Sequence, residues 1–170
     1  MVSESRLSDV ARRESDIGLR ITRSSSKVLV ERRLGVITLA LYASQGYVDR
    51  RLPSATLHPG ELGRHDFVGF HGALRNLPTQ RFLEAEGATR FPFRTTSDAS
   101  LLEATRCGQG IAVLPDITAR QEGLVRLRFA RPVPEVPVYL VSHREARRTP
   151  RIQLVARAVE TAVRERLAAQ

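Results

Sequence analysis

The side chains with chemistry to offer are few: four histidines (His58, His65, His71, His143), one cysteine (Cys107) and scattered serines and aspartates. A zinc-protease site needs two histidines one helical turn apart with a glutamate beside the first, and these histidines are not spaced that way. A thiol hydrolase built on Cys107 would need a histidine base and an orienting acid such as Asp116. Cys107 stands just before Gly108 at a helix end, where a small buried residue is the plain reading. No Gly-x-Ser-x-Gly elbow is present for a serine hydrolase. Gly108-Gln109-Gly110 is too short for a dinucleotide loop, and it precedes a strand instead of following one. These residues indicate no catalytic set, no metal site and no cofactor.

The same residue types can hold a small polar ligand. Ser97 and Asp98 fall where a strand gives way to a helix N-terminus, and two readings fit them: plain N-capping, or the edge of a pocket. His71 follows a short apolar strand and offers either a donor or an acceptor near neutral pH. Arg20 ends a strand just before Thr22; it either neutralises Asp16 or clamps a carboxylate with two parallel bonds. Ser44 reads as a helix cap or a ligand contact.

The elements that position them alternate between helical and strand patterns, which predicts an α/β fold. Ser5–Glu14 places Leu7, Val10 and Ala11 on one helical face, and Asp16–Ile21 then switches to period two. After the turn Thr22–Ser26, strands are expected near Val28–Leu34 and Val36–Tyr42, then a helix from Ser44 to Arg51 stopped by Pro53. Pro59 and Gly63 bracket a single helical turn, and Phe67–Phe70 reads as a buried strand. Pro78–Gly87 is a helix with Phe82 and Leu83 inside, followed by a strand carrying Phe91 and Phe93. Ser97–Cys107 is a helix closed by Gly108, leading to strand Ile111–Leu114 and the stop Pro115. Pro137 within Val136–Val141 argues for an edge or the start of a strand. Thr149 caps and Pro150 opens a last helix with the stripe Ile152, Val155, Ala156, Val159, Val163 and Leu167.

A chain of 170 residues, 42% hydrophobic, is long enough to bury a core without staples. No apolar run reaches the roughly 18 residues of a membrane helix. The start Met1-Val2-Ser3-Glu4-Ser5 lacks the charge and apolar stretch of a secretory signal. With its single cysteine, the chain is expected in the cytoplasm, with no membrane partner. The net charge of +9 is nearly all arginine, dispersed as pairs such as Arg12-Arg13, Arg32-Arg33, Arg50-Arg51 and Arg147-Arg148. Most pairs have an acid close by, which describes a solvated surface more than a phosphate-binding stripe.

In this order, the elements resemble those of LysR-type transcriptional regulators. The resemblance is carried by Ala11–Arg20, by Gly35–Tyr47 ending in Leu41-Tyr42-Ala43-Ser44-Gln45-Gly46-Tyr47, and by Thr96-Ser97-Asp98 through Pro115. It closes with Val138–His143 and Arg147-Arg148-Thr149-Pro150-Arg151. It implies the family's effector-binding domain: two α/β lobes of the periplasmic-binding-protein type 2 kind, with a ligand cleft between them. Residues 1–42 and 142–170 would form lobe one, and residues 43–141 lobe two. Arg20, Thr22, Ser44, His71, Ser97 and Asp98 would then serve the cleft. The family's helix-turn-helix and its first strand and helix have no counterpart from Met1 onward. DNA binding is therefore expected only through a domain outside this chain, and a homo-oligomer is expected of the full-length protein.

The resulting expectation is a regulator's sensing domain whose partner is a small polar or anionic effector. The rivals are an autonomous binding protein of the same fold, an enzyme on an α/β scaffold, and an arginine-rich nucleic-acid-binding fragment.

Overall fold

Strand Leu29–Ile37 (β2) and strand Val136–His143 (β10) lie far apart in sequence yet pair antiparallel along their whole length, from Leu29 opposite His143 to Ile37 opposite Val136. Strand Ile17–Arg20 (β1) pairs with the other side of β10, giving the order β1-β10-β2. The computed structural model describes residues 15–23 and 26–169, so the helix expected over Ser5–Glu14 lies outside the described residues. The chain divides into two units, residues 1–37 with 135–170 (unit 1) and residues 38–134 (unit 2).

These boundaries fall earlier than the expected 42/43 and 141/142, for a reason of pairing. Strand Leu39–Ala43 (β3) takes its partners from within residues 112–126, and β10 takes its partners from β1 and β2. Pro137 also receives a more exact account. It sits in the central strand of its sheet, not at an edge, but β1 reaches only Tyr139–Ser142. Pro137 therefore faces β2 alone, and its missing N–H interrupts no second ladder.

Unit 1 is completed by helix Pro150–Ala168 (α5), which Thr149 precedes and Pro150 opens, where its missing N–H costs nothing. Ile152 is buried; Ala156, Val159, Val163 and Leu167 follow it at helical spacing and are half-buried. Val155 leaves the expected stripe: it is 51% exposed. The helix rests on β2. Leu167 closes over Gly35, where an added Cβ would lie 2.9 Å from Leu167 Cδ1, and Arg32 Nη1 meets Glu160 Oε2 at 2.7 Å. Among the described residues β1 is an edge strand, with Leu19 and Ile21 about half exposed.

Unit 2 begins with β3, whose residues Ala40–Ala43 are all buried. Helix Gln45–Arg51 (α1) follows, with Ser44 Oγ accepting from Tyr47 N–H as expected. Next come strand Thr56–Leu57 (β4), a 3-10 turn at Leu62–Arg64, strand Asp66–Phe70 (β5) and a second 3-10 turn at Gly72–Asn76. Helix Pro78–Ala85 (α2) leads to strand Arg90–Thr95 (β6), and helix Asp98–Arg106 (α3) leads to strand Ala112–Pro115 (β7). Helix Asp116–Gln121 (α4) and strands Val125–Arg126 (β8) and Arg128–Phe129 (β9) complete the unit. β5 pairs parallel with β6 on one side and bridges to Ile111 on the other, while β3 lies between β7 and β8.

Alternate residues of these strands enter two separate cores. Leu41, Ala43, Phe67 and Val113 pack with Leu83 of α2, while Ala40, Tyr42, Val68, Phe70, Ala112 and Leu114 pack with Leu101 and Ala104 of α3. With period two along a strand, α2 and α3 must cover opposite faces. That two-sided burial is why these strands read as unbroken apolar runs. Among the described residues no helix is long and apolar enough to cross a membrane.

Candidate functional site

In an open sheet of parallel strands, a crevice forms at the carboxyl ends of two neighbours whose next segments leave toward opposite faces. β5 and β6 are parallel neighbours whose following helices, α2 and α3, cover opposite faces, and the 3-10 turn Gly72–Asn76 stands between β5 and α2. His71 directly follows β5, while Thr96, Ser97 and Asp98 directly follow β6. The two strand ends are joined: Phe70 stands opposite Thr95, and His71 N–H donates to the Thr95 carbonyl at 3.1 Å. Thr95 Oγ1 in turn accepts from Ser97 N–H at 3.0 Å. His71, Thr96 and Asp98 are exposed on this rim, and Ser97 is half-buried. Ser97 Oγ also accepts from Ser100 N–H at 3.4 Å, so the capping reading of Ser97 holds. The rim gathers an imidazole, two hydroxyls and the first turn of α3, a set that can donate to an oxyanion. Asp98 brings the opposite sign.

Behind the rim lies a support that the sequence alone did not disclose. The bridge to Ile111 is made at Phe67, and Phe70 N–H, further along β5, finds a side chain instead: Gln80 Oε1, at 2.9 Å, from a residue only 1% exposed. Gln80 Nε2 then donates to Glu84 Oε1 at 3.1 Å. Arg94 Nη1 donates to the Phe70 carbonyl at 3.0 Å, lies 3.6 Å from Glu84 Oε1, and stacks its guanidinium 4.0 Å over the Phe91 ring. Gly69 leaves room for this arrangement; a Cβ there would come within 2.7 Å of both Gln80 Oε1 and the Phe91 ring. Gln80 shares a helical face with Leu83, three residues on, and that spacing was the available signal.

The remaining candidates are placed elsewhere. Ser44 caps α1 beside the opposite end of α3, where a Cβ on Gly108 would meet Ser44 Oγ at 3.2 Å. The nine residues of α3 put about 13 Å between that point and Ser97. Arg20 ends β1 opposite Tyr139, and Thr22 is exposed in the following turn, both in unit 1. Cys107 is exposed with its Sγ 3.6 Å from Glu103 Oε1, while Asp116 is buried against the Tyr42 hydroxyl at 3.0 Å. The two do not share a contact. Among the described residues no three His, Cys, Asp or Glu side chains converge as metal ligands.

The buried histidine is His65, not His71. Its Nδ1 lies 3.4 Å from the Tyr47 hydroxyl, which also accepts Asp66 N–H at 3.0 Å. Burial, with Arg51 adding like charge, holds the imidazole below its ordinary pKa of 6.5. The unfolded chain then binds the extra proton first, so stability is full above pH 6.5 and falls as the pH drops toward the depressed folded value. Urea unfolding between about pH 7.5 and about pH 5.5 is expected to show this loss, and His65→Gln should flatten it. An equal slope in the variant would remove His65 as its source.

A sequence model of the LysR substrate binding domain matches residues 1–164. An HTH-type transcriptional regulator from Xanthomonas campestris pv. campestris (strain 8004) is 30% identical over 124 residues, covering 66% of this chain and 35% of that protein. The chain thus spans about a third of that relative's length. The regulatory domain of CrgA, a LysR-type transcriptional regulator from Neisseria meningitidis, superposes with a TM-score of 0.69 at 23% identity, covering 92% of this chain and 78% of that one. The regulatory domain of CcmR from Synechocystis PCC6803, solved in complex with 2-PG, superposes with a TM-score of 0.71 at 15% identity, covering 90% and 76%. These similarities extend over both units and fix the fold as the periplasmic-binding-protein-like type 2 α/β kind.

Proposed function

The chain belongs to the LysR substrate-binding domain family, and on that premise we propose that it is the effector-sensing part of a LysR-type transcriptional regulator. It takes a small polar or anionic molecule at the rim formed by His71, Thr96 and Ser97. The observation that carries this reading is the meeting of the β5 and β6 carboxyl ends, joined through Thr95 and braced by Gln80 and Arg94. The complex of the CcmR regulatory domain with 2-PG supports it, as a fold relative that holds a small molecule. Arg20 and Thr22 of unit 1 are assigned to effector binding on the family resemblance. DNA is contacted through a helix-turn-helix domain outside this chain, in a cytoplasmic, self-associating regulator. The effector is bound without conversion; Cys107 and Asp116, the thiol and orienting acid of the rival hydrolase reading, make separate contacts.

Thermal-shift screening against small organic acids tests the rim. His71→Ala is expected to leave the unliganded melting point nearly unchanged and to weaken an acid's binding about tenfold, the effect of one lost hydrogen bond to a charged group. Ser97→Ala would also remove the cap and cost about 1 kcal/mol by itself. Ser97→Asp is the cleaner variant, because aspartate caps equally well yet repels an anion. A ligand response that survives both His71→Ala and Ser97→Asp would overturn the assignment of the rim.

A further inference from the structure

Unit 1 contains a hollow of about 560 Å³ that the rim of unit 2 does not account for. It lies under α5, which several contacts pin to the rest of the unit. Near its start, Gln153 Nε2 donates to the Arg147 carbonyl at 3.0 Å. Further along, Glu160 Oε2 meets Arg32 Nη1 at 2.7 Å, and toward the end Leu167 closes over Gly35. The hollow sits at the first two pins, and α5 does not fill the sheet surface there. Its volume falls within the range of about 300 to 1,000 Å³ usual for small-molecule sites.

The lining has two chemistries. Val30, Leu140 and Ala156 give it an apolar floor, while Arg32, Arg147 and Arg157 bring three guanidinium groups. Arg32 is neutralised by Glu160, which also receives Arg164 Nε at 3.0 Å. Among the described residues, the Arg147 and Arg157 side chains have no carboxylate within ion-pair distance. Guanidinium groups beside an apolar surface are suited to a carboxylate, which they can grip with parallel bonds. The Glu160 carboxylate also lines the hollow, so a second negative charge on the ligand would be repelled.

We propose that this hollow is a second binding site, separate from the effector rim, for a monocarboxylate with a compact apolar body. The acid group meets Arg147 and Arg157, and the apolar body lies on Val30, Leu140 and Ala156.

Phenylacetate is the probe, titrated into the whole 170-residue chain and followed by amide chemical shifts. Saturable shifts are expected at residues 30–32 and 153–160, and His71→Ala should leave them unchanged. Phenylacetamide, which keeps the shape and loses the charge, should bind about tenfold more weakly, and so should phenylacetate to the Arg147→Gln/Arg157→Gln double variant. Phenylmalonate, with its second carboxylate, should bind more weakly than phenylacetate. Equal affinity for the acid and the amide overturns the proposal without any variant being made. Shifts that fail to saturate, or that gather at residues 70–98 and vanish with His71→Ala, overturn it as well. The latter outcome would assign the acid to the effector rim and leave that reading intact.

Discussion

Gly110→Ala is expected to destabilise the chain by about 3 kcal/mol, as an overpacked position with no side-chain route for relief. A Cβ on Gly110 would lie 2.5 Å from the Asp66 carbonyl oxygen, 2.7 Å from its carbon and 3.0 Å from Phe67 N. All three are backbone atoms, so no rotamer change makes room. The only relief is to move the start of β7 away from β5. Ile111 N–H donates to that same Asp66 oxygen at 2.8 Å, and Val68 N–H donates to the Ile111 carbonyl at 2.8 Å, so moving the strands apart strains both bonds. Gly87→Ala supplies the contrast. Gly87 closes α2 at φ +95° with nothing within 4 Å of an added Cβ, so its cost is conformational, about 1 kcal/mol. Urea unfolding followed by far-UV circular dichroism compares the two. Equal destabilisation would show that β5 and β7 are not locked together at Gly110. Because β5 carries His71 at its end, Gly110→Ala should also weaken any ligand held at the rim.

Elements with a strong local signal were legible in the sequence. Ser44 and Pro53 bracketed α1, Gly87 and Gly108 closed α2 and α3, and Thr149-Pro150 opened α5, because caps and breakers act within a few residues. The family resemblance also implied one site for His71 and Ser97, which follow neighbouring strands and both bond to Thr95. What strand-level reading could not supply was that β5 and β6 are parallel neighbours whose ends meet through Thr95, since register is a long-range property. α4 went unread because Pro115 looks like a stop. It ends β7, yet it also precedes a helix of only six residues, too short to show a periodic face. β4, β8 and β9 are two-residue strands with no pattern to find. Position 80 misled for another reason. An apolar-face reading of α2 puts Phe82 and Leu83 inside, whereas the structure leaves Phe82 half-buried and buries Gln80 completely, because an unpaired strand N–H needs an acceptor there.

Asp116→Ala is expected to cost about 3 kcal/mol, the scale for breaking a buried polar contact whose partner stays behind. Asp116 is 2% exposed and Tyr42 is wholly buried, with the Tyr42 hydroxyl donating to Asp116 Oδ1 at 3.0 Å. Burial pushes the Tyr42 pKa up, so the hydroxyl keeps its proton and its need for an acceptor. On the other carboxylate oxygen, Arg120 Nη2 sits at 3.3 Å and Arg126 Nη1 at 3.7 Å. Both arginine side chains are about half exposed and can return to water, so their loss adds little. The dominant cost is therefore the orphaned hydroxyl, together with the space that alanine leaves. Asp116→Asn keeps an oxygen in place and should cost only about 1 kcal/mol. Tyr42→Phe removes the donor and should cost about as much. Once the hydroxyl is gone, alanine at 116 strands nothing, so the Tyr42→Phe/Asp116→Ala double variant should fall short of the summed single losses by about 1 kcal/mol. The consequence reaches the start of unit 2, because Asp116 N–H donates to the carbonyl of Thr38, its first residue, at 3.0 Å. Loosening the side chain should speed hydrogen exchange at that amide in Asp116→Ala more than global destabilisation accounts for. Additive losses in the double variant, or an Asp116 amide that exchanges only through global unfolding, would show that Tyr42 and Asp116 do not brace the start of unit 2.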